Sequence, residues 1–449
     1  MKHITRTLLV ILLFFAASSV WAQSNKWRDI YKVKKKDTIF GIAKKYGLSI
    51  VDLMEANPEM KQEGYQLKKG TTLFIPFEKK TETQPAAKPV GTADGIRDRA
   101  IRIGVMLPLH DVDGDGRRMV EYYRGILMAC DSLKREGIST DIHAWNVDIN
   151  ADIRQTLLAD GASRCDIIFG PLYTKQLVPL AEFCRTYDIK LVIPFSISGN
   201  EVERNPQIYQ VYQPQAELNA DAVNAFVQQF KGSHPIIVDC NDSTSRKGAF
   251  TSALRQRMEA QGIQYSITNL TSPDDVFAKA FLLQTPNVII LNTGRSPQLN
   301  AVLGKLDRLT AANPTLSVSL YGYTEWLMYT KVYLNYYHKY DTHIPTTFYY
   351  NNQSVATQNF ENSYTRWFKQ PMQAALPRFG ITGYDQAQFF LRGLYYYGKT
   401  FKGTRDQNTY RPLQTPLVFK PTVEGGGMKN QNFMLIHYTR DQRIEAINY

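Results

Sequence analysis

Cysteine is scarce in this sequence of 449 residues, which contains only Cys130, Cys165, Cys184 and Cys240. Four cysteines are too few for a disulfide scaffold, because proteins that depend on disulfides carry them at a much higher density. Three of the four follow or lie inside apolar segments, which predicts buried free thiols. One bridge between Cys165 and Cys184 remains the alternative in an oxidising compartment.

Long hydrophobic runs are missing after the N-terminus, since no later stretch of the sequence approaches the roughly 20 apolar residues of a membrane-spanning helix. The N-terminus itself, MKHITRTLLVILLFFAASSVWAQS, places a short basic region before an apolar core at residues 8–17. Val20-Trp21-Ala22 then supplies a cleavage site, so residues 1–22 are predicted to be a secretory signal peptide. With no cysteine near that site, we expect an exported, soluble, non-lipidated protein of the periplasm or cell envelope.

Catalytic motifs are missing as well. The sequence contains no Gly-x-Ser-x-Gly elbow, no HExxH and no phosphate-binding glycine loop. Its seven histidines are scattered, and only His338 and His343 lie close together. Their spacing of five fits no metal-binding pair on one helical face. We therefore expect a protein that is not an enzyme and that uses no cofactor or metal.

Positive charge, by contrast, is concentrated near the N-terminus. The segment 24–80 holds 13 Lys or Arg against 7 Asp or Glu, within a chain of net charge +12. A basic module predicts an anionic partner. Nucleic acid is a poor candidate for an exported protein, so cell-wall polymer or an anionic membrane surface fits better.

A Thr-, Ala- and Pro-rich segment at residues 78–99 lacks hydrophobic periodicity and is predicted to be a linker. It separates a short module, residues 27–77, from a long one, residues 100–449. The short module has the pattern strand, helix, helix, strand. Its first helix places Ile39, Ile42, Ala43 and Tyr46 on one face and ends at Gly47.

The short module resembles a LysM domain over nearly its whole length. The resemblance rests on YKVKKKDTIFGIAKKYGLSIVDLMEANP followed by LKKGTTLFIP, with Lys36 where the family usually has Gly. LysM domains bind N-acetylglucosamine-containing glycans, chiefly peptidoglycan, in a shallow groove. By position, the resemblance implies a groove formed by Asp37, Thr38, Ile39, Phe40, Asn57, Pro58 and Met60. The alternative is that Ile39 and Asp37 only build the helix.

The segment LPLHDVDGDGRRMVEYYRG, residues 107–125, permits two interpretations. Asp111, Asp113, Asp115 and Gly116 fit the first half of an EF-hand calcium loop, but the twelfth position is Tyr122 instead of Glu. An EF-hand also needs a helix on both sides, whereas this loop follows a strand pattern, IRIGVML. The sequence favours a strand–loop–helix unit whose loop lies at the rim of a ligand cleft.

The long module alternates apolar strands with amphipathic helices, which predicts parallel sheets covered by helices. Eight strand candidates occur, at 101–107, 141–147, 166–170, 191–195, 208–212, 235–240, 287–292 and 318–323. Eight strands exceed what one compact sheet of this type needs, so two α/β lobes are expected. Six aromatic residues between Trp326 and Tyr340 predict a packed helical face, with a sugar- or protein-binding surface as the alternative.

The order of these segments resembles the type I periplasmic binding protein fold, the family of branched-chain amino acid binding proteins. The resemblance is carried by segments such as DIIFGPLYTKQLVPLAEFCRTYDIKLVIPFS and GYDQAQFFLRGLYYYGK. The predicted fold class is therefore α/β: a small βααβ LysM module followed by a bilobed domain of two parallel-sheet lobes joined by a hinge. The resemblance implies lobes at about 101–212 with 330–400, and 213–329 with 401–449.

In that family a ligand lies between the lobes, held by loop hydroxyls, backbone amides and an acid. The matching positions here, with the acidic loop, are Asp111, Tyr173, Thr174, Phe195, Ser196, Asp242, Ser243 and Glu325. Tyr173 and Phe195 are bulkier than the family pattern, which predicts a changed or narrowed site. Packing of both side chains across the lobe interface is the alternative.

Two functions follow from these expectations. The first is an envelope protein that binds peptidoglycan and captures a small ligand (an amino acid, a peptide or a muropeptide), with a transporter as partner. The second is a peptidoglycan-anchored regulator or scaffold of cell-wall synthesis, with a cell-wall synthase as partner. The sequence alone does not choose between them, nor does it name the ligand or the oligomeric state.

Overall fold

The computed structural model describes residues 29–76, apart from 36, 49 and 62–64, and residues 92–449, apart from 196. The chain divides into two compact units, Met1–Pro85 and Ala86–Tyr449. The predicted signal peptide and the part of the predicted linker before residue 92 lie outside the described residues.

The N-terminal unit has the predicted order of elements. They are β1 (Asp29–Lys32), α1 (Ile39–Tyr46), α2 (Ile50–Ala56), a 3₁₀ helix (Pro58–Lys61) and β2 (Thr72–Ile75). The two strands are antiparallel neighbours. The Thr38 hydroxyl caps α1 by accepting from the Gly41 amide at 3.0 Å, and Gly47 ends the helix in the left-handed conformation, with φ of 69°. The buried core includes Ile42, Leu53 and Leu73.

The C-terminal unit alternates helices and strands. Its strands are β3 (Ile101–Leu107), β4 (Thr140–Asn146), β5 (Ile167–Phe169), β6 (Lys190–Ile193), β7 (Ile208–Gln210), β8 (His234–Asp239), β9 (Ser266–Asn269), β10 (Asn287–Leu291), β11 (Val318–Tyr321), β12 (Thr342–Thr346), β13 (Phe419–Pro421), β14 (Met428–Asn430), β15 (Met434–Tyr438) and β16 (Ile444–Asn448). Its α-helices are α3 (Gly114–Arg135), α4 (Ile153–Leu157), α5 (Leu177–Thr186), α6 (Glu201–Arg204), α7 (Gln215–Gln229), α8 (Gly248–Ala260), α9 (Asp274–Ala278), α10 (Ser296–Ala312), α11 (Thr330–Lys339), α12 (Val355–Phe368) and α13 (Phe379–Tyr397). Short 3₁₀ helices lie at Ala162–Arg164, Thr174–Gln176, Thr324–Tyr329, Gly398–Thr400 and Arg405–Gln407.

These strands form two seven-stranded sheets, in the orders β13-β14-β7-β6-β5-β3-β4 and β16-β15-β12-β11-β10-β8-β9. The pairs are parallel except β13–β14, β12–β15 and β15–β16, so antiparallel strands lie only at one edge of each sheet. The structure confirms the predicted bilobed α/β architecture. All eight predicted strands are present, and their ends agree with the prediction to within two residues.

The sheets correct the predicted lobe boundaries. Strand β12 and helix α11 were expected in the first lobe, but β12 pairs with β11 of the second sheet. Strands β13 and β14 were expected in the second lobe, but β14 pairs with β7 of the first. The chain crosses between the lobes three times, at 211–214, 347–354 and 431–433. Non-local pairing decides this division, and β12 carried no strand signal because Pro345 interrupts its pattern.

The aromatic segment between Trp326 and Tyr340 belongs mainly to the core of the second lobe, because Trp326, Tyr333, Tyr337 and Tyr340 are all buried. This placement agrees with the expected packed helical face. All four cysteines are buried and free, so the alternative Cys165–Cys184 bridge is not formed in the structure.

Candidate functional site

A cavity of about 460 Å³ lies between the two lobes of the C-terminal unit, where the chain crosses from one to the other. All three crossing segments contribute to its wall, through Val211, Phe348 and Phe433 among others. Its volume falls within the range of about 300–1,000 Å³ that small-molecule sites usually have. The remaining wall residues are Pro194, Phe195, Tyr212, Gln213, Gln215, Leu218, Asn219, Ala222, Lys247, Phe250, Tyr323, Thr324, Glu325, Met328, Pro345, Thr346, Thr347, Leu376, Pro377, Thr382, Gln386, Thr415 and Asn430.

Helix α13 brings Gln386 to this wall. The backbones of α13 and α3 touch: a Cβ on Gly125 would lie 1.9 Å from the Gly380 carbonyl oxygen, so no larger residue fits there. This close approach lets the Gln386 Oε1 accept a hydrogen bond from the Tyr122 hydroxyl of α3 at 2.6 Å. The amide nitrogen of the same side chain is buried and has no partner among the described residues. A buried donor without a partner costs free energy, so an acceptor on a bound molecule would stabilise this site.

Two charged side chains of the second lobe also line the cavity. The Lys247 ammonium donates to the Glu325 carboxylate and lies 4.7 Å from the centre of the Tyr323 ring. The two charges neutralise each other, so the wall carries little net charge. Glu325 was predicted at the position of the acid that holds the ligand, but in this structure its carboxylate pairs with Lys247.

Of the predicted cleft residues, the cavity brings together only Phe195 and Glu325. Ser196 lies outside the described residues. Phe195 packs edge-on against Tyr122 of the same lobe at a centroid distance of 5.1 Å, so this contact does not test the alternative of packing across the lobe interface. Asp111, Tyr173, Thr174, Asp242 and Ser243 are not part of the cavity wall.

The loop residues outside the cavity are held by local contacts. The Tyr173 hydroxyl donates to Asp115 at 3.3 Å, and its pKa is raised to about 12 by burial and by the nearby carboxylate. The Thr174 hydroxyl accepts from the Ser198 amide at 3.1 Å. Asp242 accepts from Thr244 and Thr293, and the Thr244 hydrogen bond is the largest influence lowering its pKa.

The acidic loop before α3 has a structural role. Asp113 caps α3 by accepting from the Gly116 amide at 2.8 Å, a bond that also lowers the pKa of its carboxyl group. Asp115 pairs with Arg118 at 2.5 Å. The loop joins β3 to α3, as the strand–loop–helix interpretation predicts and unlike an EF-hand.

The predicted glycan groove of the N-terminal unit contains both structural and exposed residues. Asn57 is buried and makes three hydrogen bonds, to Leu53 and to both backbone groups of Phe74. Met60 is buried in the core. These two side chains are therefore not available to a glycan, which corrects their predicted place in the groove.

The other predicted groove residues differ in their hydrogen bonding and exposure. Thr38 caps α1, and Asp37 accepts from the Lys34 amide at 2.7 Å and from the Tyr31 hydroxyl at 2.9 Å. Both bonds lower the pKa of Asp37, and the bond from the Lys34 amide has the larger effect. Pro58 is exposed and Ile39 is half-buried. Phe40 is 48% exposed on the surface of α1, where a sugar face could reach it.

Sequence reasoning missed Gln386 and Lys247. The segment containing Gln386 was used only for the fold, although a glutamine within the apolar run of α13 was a visible signal. Lys247 carried no signal, because its pairing with Glu325 joins residues 78 positions apart.

The family model for the LysM domain matches residues 31–76. The N-terminal unit is a LysM domain. No curated protein matches the chain.

Solved structures resemble the C-terminal unit. One, described as a branched-chain amino acid ABC transporter protein from Rhodospirillum rubrum, has a TM-score of 0.53 at 14% identity and covers 78% of this chain and 100% of its own. This similarity shows that the C-terminal unit has the type I periplasmic binding protein fold.

Two further solved structures are less similar to this chain. One is an ABC transporter substrate-binding protein from Desulfitobacterium hafniense in complex with Leu, with a TM-score of 0.42, 16% identity and coverage of 78% and 100%. The other is LpoA from Haemophilus influenzae, with a TM-score of 0.48, 14% identity and coverage of 79% of this chain and 60% of LpoA. Among the described residues, none of the helices combines the length and the apolar character that a bilayer crossing requires.

Proposed function

We propose that this protein is a non-catalytic, exported cell-envelope protein that binds peptidoglycan through its LysM domain and a small ligand in its interlobe cavity. The observation that carries the proposal is the cavity, whose walls come from both lobes and include the Gln386 amide nitrogen, a buried donor without a partner among the described residues. An apolar cavity with a few polar groups is the usual form of a small-molecule site. The ligand classes that fit are amino acids, short peptides and muropeptides.

The cavity is tested by thermal unfolding of the mature full-length chain with amino acids, short peptides and muropeptides, and with calcium as a control. A ligand that binds only the folded protein at about 100 times its Kd stabilises it by about 2.7 kcal/mol. We expect one ligand class to raise the unfolding midpoint of the C-terminal unit by several degrees. No rise with any of the three classes would contradict the small-ligand function.

The Gln386 amide can be tested with the ligand that this screen identifies. Gln386→Met removes the donor, and we expect roughly tenfold weaker binding, since a hydrogen bond contributes about 1 kcal/mol and often more when its loss leaves a buried partner unsatisfied. Tyr122→Phe is the matched control, because it breaks the Tyr122–Gln386 bond but keeps the amide donor. Calorimetry should show weakened binding in the first variant only, and equal binding by both variants would exclude the proposed role of Gln386.

The glycan-binding role of the LysM domain has its own test. We expect Phe40→Ala to reduce binding of the mature chain to insoluble peptidoglycan by roughly tenfold, because a phenyl ring that covers a sugar contributes about 1–2 kcal/mol of apolar burial. Ile30→Ala is the matched control: Ile30 is 59% exposed, but it lies on β1 outside the predicted groove. Co-sedimentation at high salt excludes simple attraction by the basic residues. Equal losses in both variants would contradict a groove at Phe40.

A second function is favoured by the strand-end loops. Asp113, Asp115, Tyr173 and Asp242 are all occupied by contacts within the protein. These loops use their polar side chains for contacts within the protein and not for a solute. This arrangement suits a scaffold or regulator of cell-wall synthesis that contacts a synthase. Capture of a cell-wall synthase by the full-length protein, together with a negative ligand screen, would support this function.

A further inference from the structure

Two histidines and an aspartate meet where β12 and β15 pair. Asp341 directly precedes β12, and His343 lies opposite His437 in the strand register. Each of the three side chains offers one ligand atom, and these atoms all lie within 4.8 Å of one another. The cluster is at the start of β12, whereas the ligand cavity is lined by the residues at its end. It is therefore separate from the site proposed above.

The hydrogen bonds of His343 fix which of its nitrogens can bind a metal ion. Its Nδ1 lies 2.9 Å from the Asp341 carbonyl oxygen, which can only accept, so Nδ1 carries the proton. Nε2 therefore carries a lone pair. A carbonyl behind a metal-binding histidine is the usual orienting contact of such ligands. The polar neighbour of Nε2 is the amide of Gln229 at 3.3 Å, an exposed side chain that can move away.

His437 and Asp341 are already in contact. The His437 Nε2 lies 2.8 Å from the Asp341 Oδ1, and the second carboxylate oxygen accepts from Ser319 at 3.1 Å. A metal ion would take the place of the proton shared between His437 and Asp341. Arg443 holds the neighbouring Glu445 at 3.3 Å, so we do not count Glu445 as a ligand.

The surroundings give the cluster both rigidity and access. His343 is buried beneath Phe230 and stacks on His437 with ring centres 3.9 Å apart. The side chains of His437 and Asp341 are 16% and 27% exposed, which leaves a path from solvent. His343 and His437 lie on the paired strands, and Asp341 directly precedes β12. An ion must lie in the plane of each imidazole that binds it, so the two rings, which are within 16° of parallel, have to tilt apart before both nitrogens and the carboxylate surround one ion.

We propose that Asp341, His343 and His437 form a binding site for Zn²⁺, with water completing the coordination. Two imidazoles and a carboxylate are a ligand set that zinc commonly takes in proteins. The charge of the carboxylate and the neutral His343 nitrogen suit a divalent cation. The site does not depend on the function proposed for the cavity.

The test uses the mature full-length chain without a histidine tag, treated with EDTA and titrated with ZnCl₂ in a calorimeter. We expect one Zn²⁺ per chain with a Kd in the micromolar range or tighter, and a higher unfolding midpoint with zinc. His437→Ala should weaken binding at least tenfold. His143→Ala is the matched control, because His143 also contacts an aspartate, Asp141, but on the first sheet.

Asp341→Asn provides a second variant if His437→Ala does not fold, and it should also bind at least tenfold more weakly. Co²⁺ in place of Zn²⁺ should give visible absorption bands in the wild type and in His143→Ala only. Failure of the wild type to bind one equivalent would overturn the proposal. So would unchanged affinity in the folded cluster variants, since the ion would then bind elsewhere on the surface.

Discussion

Asp385→Ala is expected to lower the free energy of unfolding of the C-terminal unit by about 4 kcal/mol, within the range for breaking a buried charged network. Asp385 is buried on α13 and accepts four hydrogen bonds. The donors are the Tyr410 hydroxyl at 2.7 Å and the amides of Leu413, Gln414 and Thr415 at 2.9, 2.9 and 2.8 Å. Alanine would leave four donors without an acceptor, one of them buried and three partly buried, and a fully buried donor that loses its acceptor costs about 1–3 kcal/mol.

The same substitution should alter the cavity. Asp385 fastens the segment 410–415 to α13, and both elements contribute to the cavity wall, through Thr415 and Gln386. Release of that segment is expected to weaken ligand binding as well as stability. Urea unfolding measures the loss of stability. Asp131→Ala is the control, because Asp131 forms an exposed ion pair with Arg135 at 3.4 Å, and its substitution should cost less than about 0.5 kcal/mol.

The pH dependence of this effect has a definite sign. Burial raises the pKa of Asp385 from 3.8 to about 6, against the opposing influence of its four donors. The folded protein therefore binds this proton before the unfolded chain does, between about pH 6 and pH 4. The stabilising contribution of Asp385 grows as the pH falls through that window and is lower above pH 6. The difference between wild type and Asp385→Ala should thus be larger at pH 5 than at pH 7, and a smaller difference would contradict this assignment.

Asn57→Ala is expected to unfold the LysM domain and abolish peptidoglycan binding. The buried Asn57 amide donates to the Leu53 and Phe74 carbonyls, both at 2.8 Å, and accepts from the Phe74 amide at 2.7 Å. It thereby ties α2 to β2. Loss of the three hydrogen bonds of this buried side chain costs about 3 kcal/mol, and a domain of about 50 residues has only about 2–7 kcal/mol of stability.

Comparison with Phe40→Ala separates folding from recognition. Asn57→Ala should lose binding together with the dispersed amide NMR signals of the domain, whereas Phe40→Ala should lose binding and keep them. Retained binding by Asn57→Ala would show that its hydrogen bonds are dispensable. The melting transition of the C-terminal unit serves as an internal control in both variants.

The sequence predicted elements whose signals are local. Gly47 was predicted to end α1 and does so, because this type of helix end involves only neighbouring backbone groups. Strand β3 was predicted with its observed bounds, since a buried parallel strand appears as a continuous apolar run. The loop that contains Asp113 was correctly predicted between a strand and a helix. The role of its acidic residues was not predicted, since they cap α3 and form local ion pairs and do not line the cavity.

Sites that depend on distant pairing were not predicted. His338 and His343 were considered as a metal pair because they are close in sequence, whereas the structure places His343 beside His437, 94 residues further along the chain. The same holds for the contact between Gln386 and Tyr122, which is made only when α3 and α13 approach at their glycines.

The alternation of helices and strands and the presence of two lobes could be predicted from the sequence, because periodicity, capping and turn signals act over a few residues. The LysM domain was predicted from its resemblance to that family. Only the tertiary structure decided which strands complete each sheet, which residues line the cavity, and which histidines meet. Those features arise from contacts between segments that are far apart in the chain, and a single sequence does not indicate which distant segments pair.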